Sequence, residues 1–240
     1  MELTDKVVVL TGASRGLGVA ISEALVKKKA IVYGLARNQS ELEQLGRRLG
    51  KNFYPVKMDI TDKEAIYKWI DMTFSKNYLP DILINNAGAG IFGKIDEMPP
   101  DTWINIVNTN LNGMYYVTSG LIPFLKKNQR ITHVLNIGSI LATTGREEGT
   151  AYCAAKFGVR GFSEALSKEL RFNGIKVTCI HPGSIETDFF KSSGIKKHSN
   201  MLQPKELADI AVHILETPDN MLIDEIIIRP LNPKRPEYLE

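Results

Sequence analysis

Two stretches of this 240-residue chain hold residue types whose spacing can do chemistry. In Tyr152-Cys153-Ala154-Ala155-Lys156 a phenol and an ammonium stand four residues apart, so on a helix they share a face. A free phenol has a pKa of about 10 and is almost wholly protonated near neutrality. A neighbouring ammonium can lower that value by roughly 1–3 units, towards the range useful for proton transfer. Taken alone, such a pair is usually no more than a half-exposed helical couple. The second stretch, Thr11-Gly12-Ala13-Ser14-Arg15-Gly16-Leu17-Gly18, follows an apolar run and opens a helical one. Glycines there allow a tight turn and close backbone approach to a pyrophosphate, whose charge a helix N-terminus favours. The spacing is Gly-x-x-x-Gly-x-Gly, which departs from the generic Gly-x-Gly-x-x-Gly fingerprint.

A third position bears on which phosphate is bound. About 20 residues past the glycines, where a carboxylate would hold a ribose 2′-hydroxyl, the chain has Ala36-Arg37 and no acid. Arg15 lies in the glycine turn itself. Two guanidinium forks flanking the adenosine ribose suit a 2′-phosphate, so NADP(H) is expected over NAD(H).

The elements that must hold these residues alternate in kind. Apolar runs at Val7–Leu10, Ala30–Leu35, Phe53–Val56, Ile82–Ile84, Thr132–Ile137, Ile175–Ile180 and Glu225–Ile228 read as strands. Their nearly unbroken Val/Ile/Leu content marks strands covered on both faces, as in a parallel sheet. Helical spacing occupies 16–28, 39–50, 62–76, 101–127, 149–172 and 204–216, with Gly174 suited to a left-handed cap. The expectation is α/β: a doubly wound, Rossmann-type, seven-stranded parallel sheet in a single domain over 1–240. Residues 190–203 are polar and weakly periodic, and 229–240 carry three prolines and form an irregular tail.

Composition narrows the class further. Thirty Lys and Arg against 27 Asp and Glu leave a net charge of +3, too balanced to make nucleic acid the expected partner. Two cysteines cannot form a disulfide framework, and His133, His181, His198 and His213 lack ligand spacing, so no metal is expected. Cys153 reads as a packing residue, and His181 as a polar residue at a strand end. A polar start and the lack of a long apolar run point to a cytoplasmic protein with no membrane partner.

Six motifs occur in order: the glycine turn, Asn85-Asn86-Ala87-Gly88, Asn110 within Asn108-Thr109-Asn110-Leu111-Asn112-Gly113, Ser139, Tyr152-x-x-x-Lys156 and Pro182-Gly183. Any one is modest; the ordered set resembles the short-chain dehydrogenase/reductase family from residue 4 to about 190. The resemblance implies that Tyr152 is the general acid in carbonyl reduction and the base in the reverse direction. It implies that Lys156 lowers the tyrosine pKa and bonds the nicotinamide ribose, and that Ser139 polarises the substrate carbonyl. Asn110 would anchor a water relaying protons from Lys156. The cofactor would lie along Gly12, Ser14, Arg15, Gly16, Leu17 and Gly18, then Arg37, Asp59 and Ile60, then Asn86, Ala87 and Gly88. Its nicotinamide would meet Pro182, Gly183, Ile185 and Thr187. Phe189 is expected at the substrate, with Phe190 a second possible lid residue or loop anchor, and the 184–203 loop should read the substrate.

The expected activity is NADPH-dependent reduction of a small ketone or aldehyde. A carrier-linked 3-oxoacyl thioester is the alternative, with Lys126, Lys127, Arg130 and Arg171 as a docking face for an acidic carrier. Against it, Ile226-Ile227-Ile228-Arg229-Pro230 lacks the glycine pair many such reductases carry after the last strand. A non-catalytic NADP(H)-binding regulator on the same fold is disfavoured because Asn110, Ser139, Tyr152 and Lys156 are all present. Epimerase or dehydratase chemistry is disfavoured by the short chain beyond residue 190. The two long helices, with Met114, Tyr115 and Tyr116 beyond one core stripe, fit a homodimer or homotetramer.

Overall fold

The computed structural model describes residues 1–189, 193 and 200–231. Phe190, His198 and the residues beyond 231 therefore lie outside the description, as does most of the 190–203 loop. The described residues form strands β1 (Val7–Thr11), β2 (Ile31–Ala36), β3 (Phe53–Lys57), β4 (Ile82–Asn85), β5 (Thr132–Ile137), β6 (Ile175–Pro182) and β7 (Glu225–Ile228). All pair in parallel in the order β3-β2-β1-β4-β5-β6-β7. The order reverses between β1 and β4, opening a crevice at their carboxyl ends.

The helices are α1 (Gly16–Lys27), α2 (Gln39–Leu49), α3 (Lys63–Thr73), α4 (Pro100–Val107), α5 (Gly113–Leu125), α6 (Thr150–Leu170) and α7 (Pro204–Leu215). They cover both faces. Val8 and Leu10 of β1 pack into one layer with Ile21, Leu42 and Leu207, whereas Val7 and Val9 pack into the other with Ile66, Leu121 and Leu170. Alternate residues of one strand thus enter different cores, which is why the strands read as unbroken apolar runs.

Local chemistry sets the helix starts. Asn38 and Asp62 cap α2 and α3 by accepting from the Glu41 and Ala65 amides. Gln203 and Glu206 form a reciprocal capping box at α7. Helix α1 differs: its cap position is Arg15, whose side chain makes no capping bond, and its first turn has no acid.

Two expectations change. The helix expected over 101–127 is interrupted by a wider π-turn at Asn108–Asn112, between α4 and α5. Met114, expected beyond the core, is buried against Val159 and Cys179, while Tyr115 remains exposed. Gly174 does adopt the left-handed conformation, with φ 70°, closing a 3₁₀ turn after α6.

Candidate active site

The crevice at the carboxyl ends is a cleft of about 620 Å³. Its floor at one end is the β1–α1 turn. Thr11 fixes that turn, its hydroxyl accepting from the amides of Asn86 and Ala87 at 3.1 Å each. Asn86 donates to the carbonyls of Thr11 and Gly12, both at 3.1 Å. Gly12 has φ 68°, and a Cβ there would fall 2.8 Å from Ala87 Cα, so the turn needs glycine on both counts. Gly12, Ser14, Arg15, Gly16 and Leu17 line the cleft, as do Arg37, Asp59, Ile60, Asn86, Ala87 and Gly88. Gly18 does not. It lies behind the turn, where a Cβ would fall 2.0 Å from the Gly12 carbonyl oxygen, and its contribution is the close approach of α1 to the turn.

The opposite end holds the chemically versatile side chains. The N-terminal turn of α6 carries Tyr152 and Lys156 on one face, both buried. Lys156 Nζ donates to the Ile137 carbonyl at 2.9 Å and stands 5.7 Å from the Tyr152 ring centre. Ser139 follows β5 in extended conformation, its hydroxyl accepting from the Leu141 amide at 3.1 Å and standing near enough to the Tyr152 hydroxyl to influence its ionisation. Phe92 and Phe189 flank the Tyr152 ring, with centroids 5.4 and 5.7 Å away. Pro182, Gly183, Ile185 and Thr187 line the wall between the two ends.

Burial governs the ionisation of this end. It pushes the Tyr152 phenol up to about 12, against an opposing pull from the Ser139 hydroxyl. It pushes Lys156 down to about 8. The expected lowering of Tyr152 by Lys156 is therefore not what dominates. The ammonium is itself desolvated and tied to a backbone carbonyl.

Asn110 also stands off the cleft surface, inside the π-turn. Its amide donates to the Ala89 carbonyl at 2.6 Å and the Ile106 carbonyl at 2.9 Å, leaving a buried, unpartnered Oδ1. That oxygen lies 2.9 Å from where a Cβ on Gly88 would sit, with Lys156 Nζ 3.8 Å from the same point. The widened turn is what rotates Asn110 inward towards Lys156. Sequence reasoning missed Thr11, Phe92 and Arg146, all at or under the cleft; the last two sit in stretches with no periodic pattern. Among the described residues no group of three His, Cys, Asp or Glu side chains is placed to hold a metal ion.

The residues present fit a dinucleotide. The uncapped N-terminus of α1 faces the cleft with free amides, and Arg15 and Arg37 make no ion pair among the described residues. Comparisons with known proteins agree. The family model "short chain dehydrogenase" matches residues 6–198. An uncharacterized oxidoreductase of Staphylococcus saprophyticus is 32% identical over 96% of this chain and 100% of its own. A 3-oxoacyl-(acyl-carrier-protein) reductase of Vibrio harveyi is 33% identical over 91% of this chain and 93% of its own. Among solved structures, an alcohol dehydrogenase of the archaeon Thermococcus sibiricus, complexed with 5-hydroxy-NADP, superposes with a TM-score of 0.87. It is 25% identical, covering 97% of this chain and 99% of its own. With this ordered motif set gathered around one cleft, the chain belongs to the short-chain dehydrogenase family of oxidoreductases.

Proposed function

We propose that the protein is an NADPH-dependent oxidoreductase that reduces a small ketone or aldehyde to an alcohol, reversibly. The observation that carries this reading is one continuous cleft. An uncapped helix N-terminus with two arginines that make no ion pair among the described residues borders one end, and two hydroxyls, those of Ser139 and Tyr152, border the other. The turn Gly12–Leu17 and Gly88 hold the pyrophosphate and ribose, Arg15 and Arg37 the 2′-phosphate, and Asp59 and Ile60 the adenine. Pro182, Gly183, Ile185 and Thr187 hold the nicotinamide, which supplies the hydride when bound.

Ser139 donates to the substrate carbonyl oxygen and stabilises the negative charge that develops there. Tyr152 gives that oxygen its proton. A phenol held near 12 is protonated at neutral pH, the state in which it can donate to a carbonyl oxygen. Lys156 keeps its charge beside the ring and bonds the nicotinamide ribose, and Asn110, through its spare Oδ1, anchors the water that relays protons from it. The Phe92 and Phe189 rings make the substrate end apolar, and the 184–203 segment reads the substrate.

The Vibrio harveyi relative favours a 3-oxoacyl thioester as second reading. Against it, Lys126, Lys127, Arg130 and Arg171 precede β5 and β6, on the sheet edge opposite the cleft of the same chain. Arg130 is also engaged with the buried Asp81 at 2.9 Å. Exposed Trp103, Ile104, Tyr115 and Phe157 on α4, α5 and α6 support self-association as a homodimer or homotetramer.

The test is NADPH oxidation at 340 nm with small diketones, aldehydes and an acetoacetyl thioester. Turnover of a diketone or aldehyde is expected, and Y152F should lose at least about 100-fold in kcat while NADPH fluorescence titration stays unchanged. Turnover in Y152F near the wild-type rate would remove Tyr152 from the proposed role.

A further inference from the structure

His181, read from sequence as a polar strand end, is fully buried at the end of β6. A buried imidazole needs partners for both nitrogens. Nδ1 lies 3.0 Å from the Ser139 carbonyl oxygen and 3.4 Å from the Ser139 amide nitrogen. Nε2 lies 3.0 Å from Glu225 Oε1, at the start of β7, close enough for charge pairing but outside hydrogen-bond geometry. Arg160 clasps the same carboxylate as a fork, with Nε 2.8 Å from Oε1 and Nη2 3.2 Å from Oε2. Arg160 stands four residues past Lys156, continuing the Tyr152–Lys156 stripe of α6. The contacts close a ring from Tyr152 through Ser139, His181, Glu225 and Arg160 back along α6. Gly138 completes the fit, because a Cβ there would fall 2.5 Å from His181 Nδ1.

We propose that His181, oriented by Glu225 and Arg160, is a positioning residue for the reaction: it sets the Ser139 backbone, and through it the aim of the Ser139 hydroxyl. The inference rests on the reading of Ser139 and Tyr152 given above.

The ring's protons make this grip two-valued. In the neutral imidazole with its proton on Nε2, the Nδ1 lone pair meets the Ser139 N–H. In the imidazolium, Nδ1–H donates to the Ser139 carbonyl while the ring's charge pairs with the Glu225 carboxylate. The charged groups facing the ring are Glu225 on β7 and Arg160 and Lys156 on α6. Burial lowers the His181 pKa below its ordinary 6.5, and Glu225 opposes that pull. The neutral ring therefore serves at neutral pH, and acidification swaps the amide bond for the carbonyl bond.

The test combines histidine ¹⁵N and backbone amide NMR with kinetics on 2,3-butanedione. The Ser139 amide resonance should titrate with the His181 ring in the wild type and not in H181N. E225Q should move that titration to lower pH and carry the acid limb of kcat with it. H181N should lower kcat about tenfold with KM for NADPH within twofold of wild type. Should H181N fail to fold, E225Q, altered at a part-exposed side chain, carries both readouts. A Ser139 amide indifferent to His181 ionisation overturns the proposal. So does H181N with kcat within twofold of wild type and an unchanged pH profile. A wild-type enzyme inert towards every carbonyl tried would sink the oxidoreductase reading instead, leaving the Ser139–His181 titration to decide this one.

Discussion

Arg15 and Arg37 are exposed, border the cleft beside Asp59, and lack an ion-pair partner among the described residues. Guanidinium groups left unneutralised at a cleft rim favour an anion, and a planar fork matches phosphate oxygens two at a time. A charge-assisted hydrogen bond contributes about 1.5–3 kcal/mol, or roughly 10- to 100-fold in binding. R37A should therefore raise KM for NADPH about tenfold or more and leave KM for NADH within twofold. R15A should act in the same sense. Steady-state kinetics with both cofactors check this, and a wild-type preference for NADH would remove the 2′-phosphate assignment. Tyr152 and Lys156 follow a different logic at the same scale. Burial favours the neutral form of each, so the phenol holds its proton more tightly and the amine less tightly than in water. Helical spacing revealed that the two share a face; it could not reveal which influence on the phenol prevails, because burial is set by the surrounding elements.

Strand, turn and helix form one mechanical unit at β1–α1, with Gly18 as its tightest point. A Cβ at Gly18 would stand 2.0 Å from the Gly12 carbonyl oxygen, which is backbone and cannot swing aside. G18A should therefore push α1 off the turn, costing about 1–3 kcal/mol of stability by overpacking and weakening NADPH binding with it. Thermal melts and NADPH fluorescence titration on the same sample check both, and a variant unchanged in both would show that the turn tolerates the shift. The parts of this unit were legible in sequence because Val7–Leu10, the glycines and the α1 apolar stripe are all local signals. The π-turn at Asn108–Asn112 was not. Helical periodicity continues through it, and the signal for the widening is the inward aim of Asn110, fixed by the Ala89 and Ile106 carbonyls. His181 was legible only as a polar strand end, and its link to Arg160 and Glu225 escaped notice for a similar reason. The three lie on β6, α6 and β7, and their partnership exists only after β6 and β7 pair.

Across the whole molecule, a sheet covered on both faces encloses polar groups as well as apolar ones, and these make stability depend on pH. His133, in β5, is buried with Nε2 2.8 Å from the Thr178 hydroxyl and Nδ1 unpartnered. Burial, reinforced by the charge of Lys176, lowers its pKa from 6.5 to about 3. Between those two values the unfolded chain binds a proton that the folded chain refuses. Stability must then fall as pH drops through that window, by up to about 1.4 kcal/mol per pH unit for one such group. His181 adds a contribution of the same sign, since its pKa is also lowered. Urea denaturation of the wild type at pH 7 and pH 4.5 should show the loss, and H133Q should reduce it by about 2–3 kcal/mol because glutamine does not titrate. The comparison must be made as a difference between the two pH values. Glutamine also changes packing around Thr178, and that cost is present at both. An H133Q protein that loses as much stability as wild type over the same interval would mean that His133 accepts its proton in the folded state, and that the space around Nδ1 admits the charge.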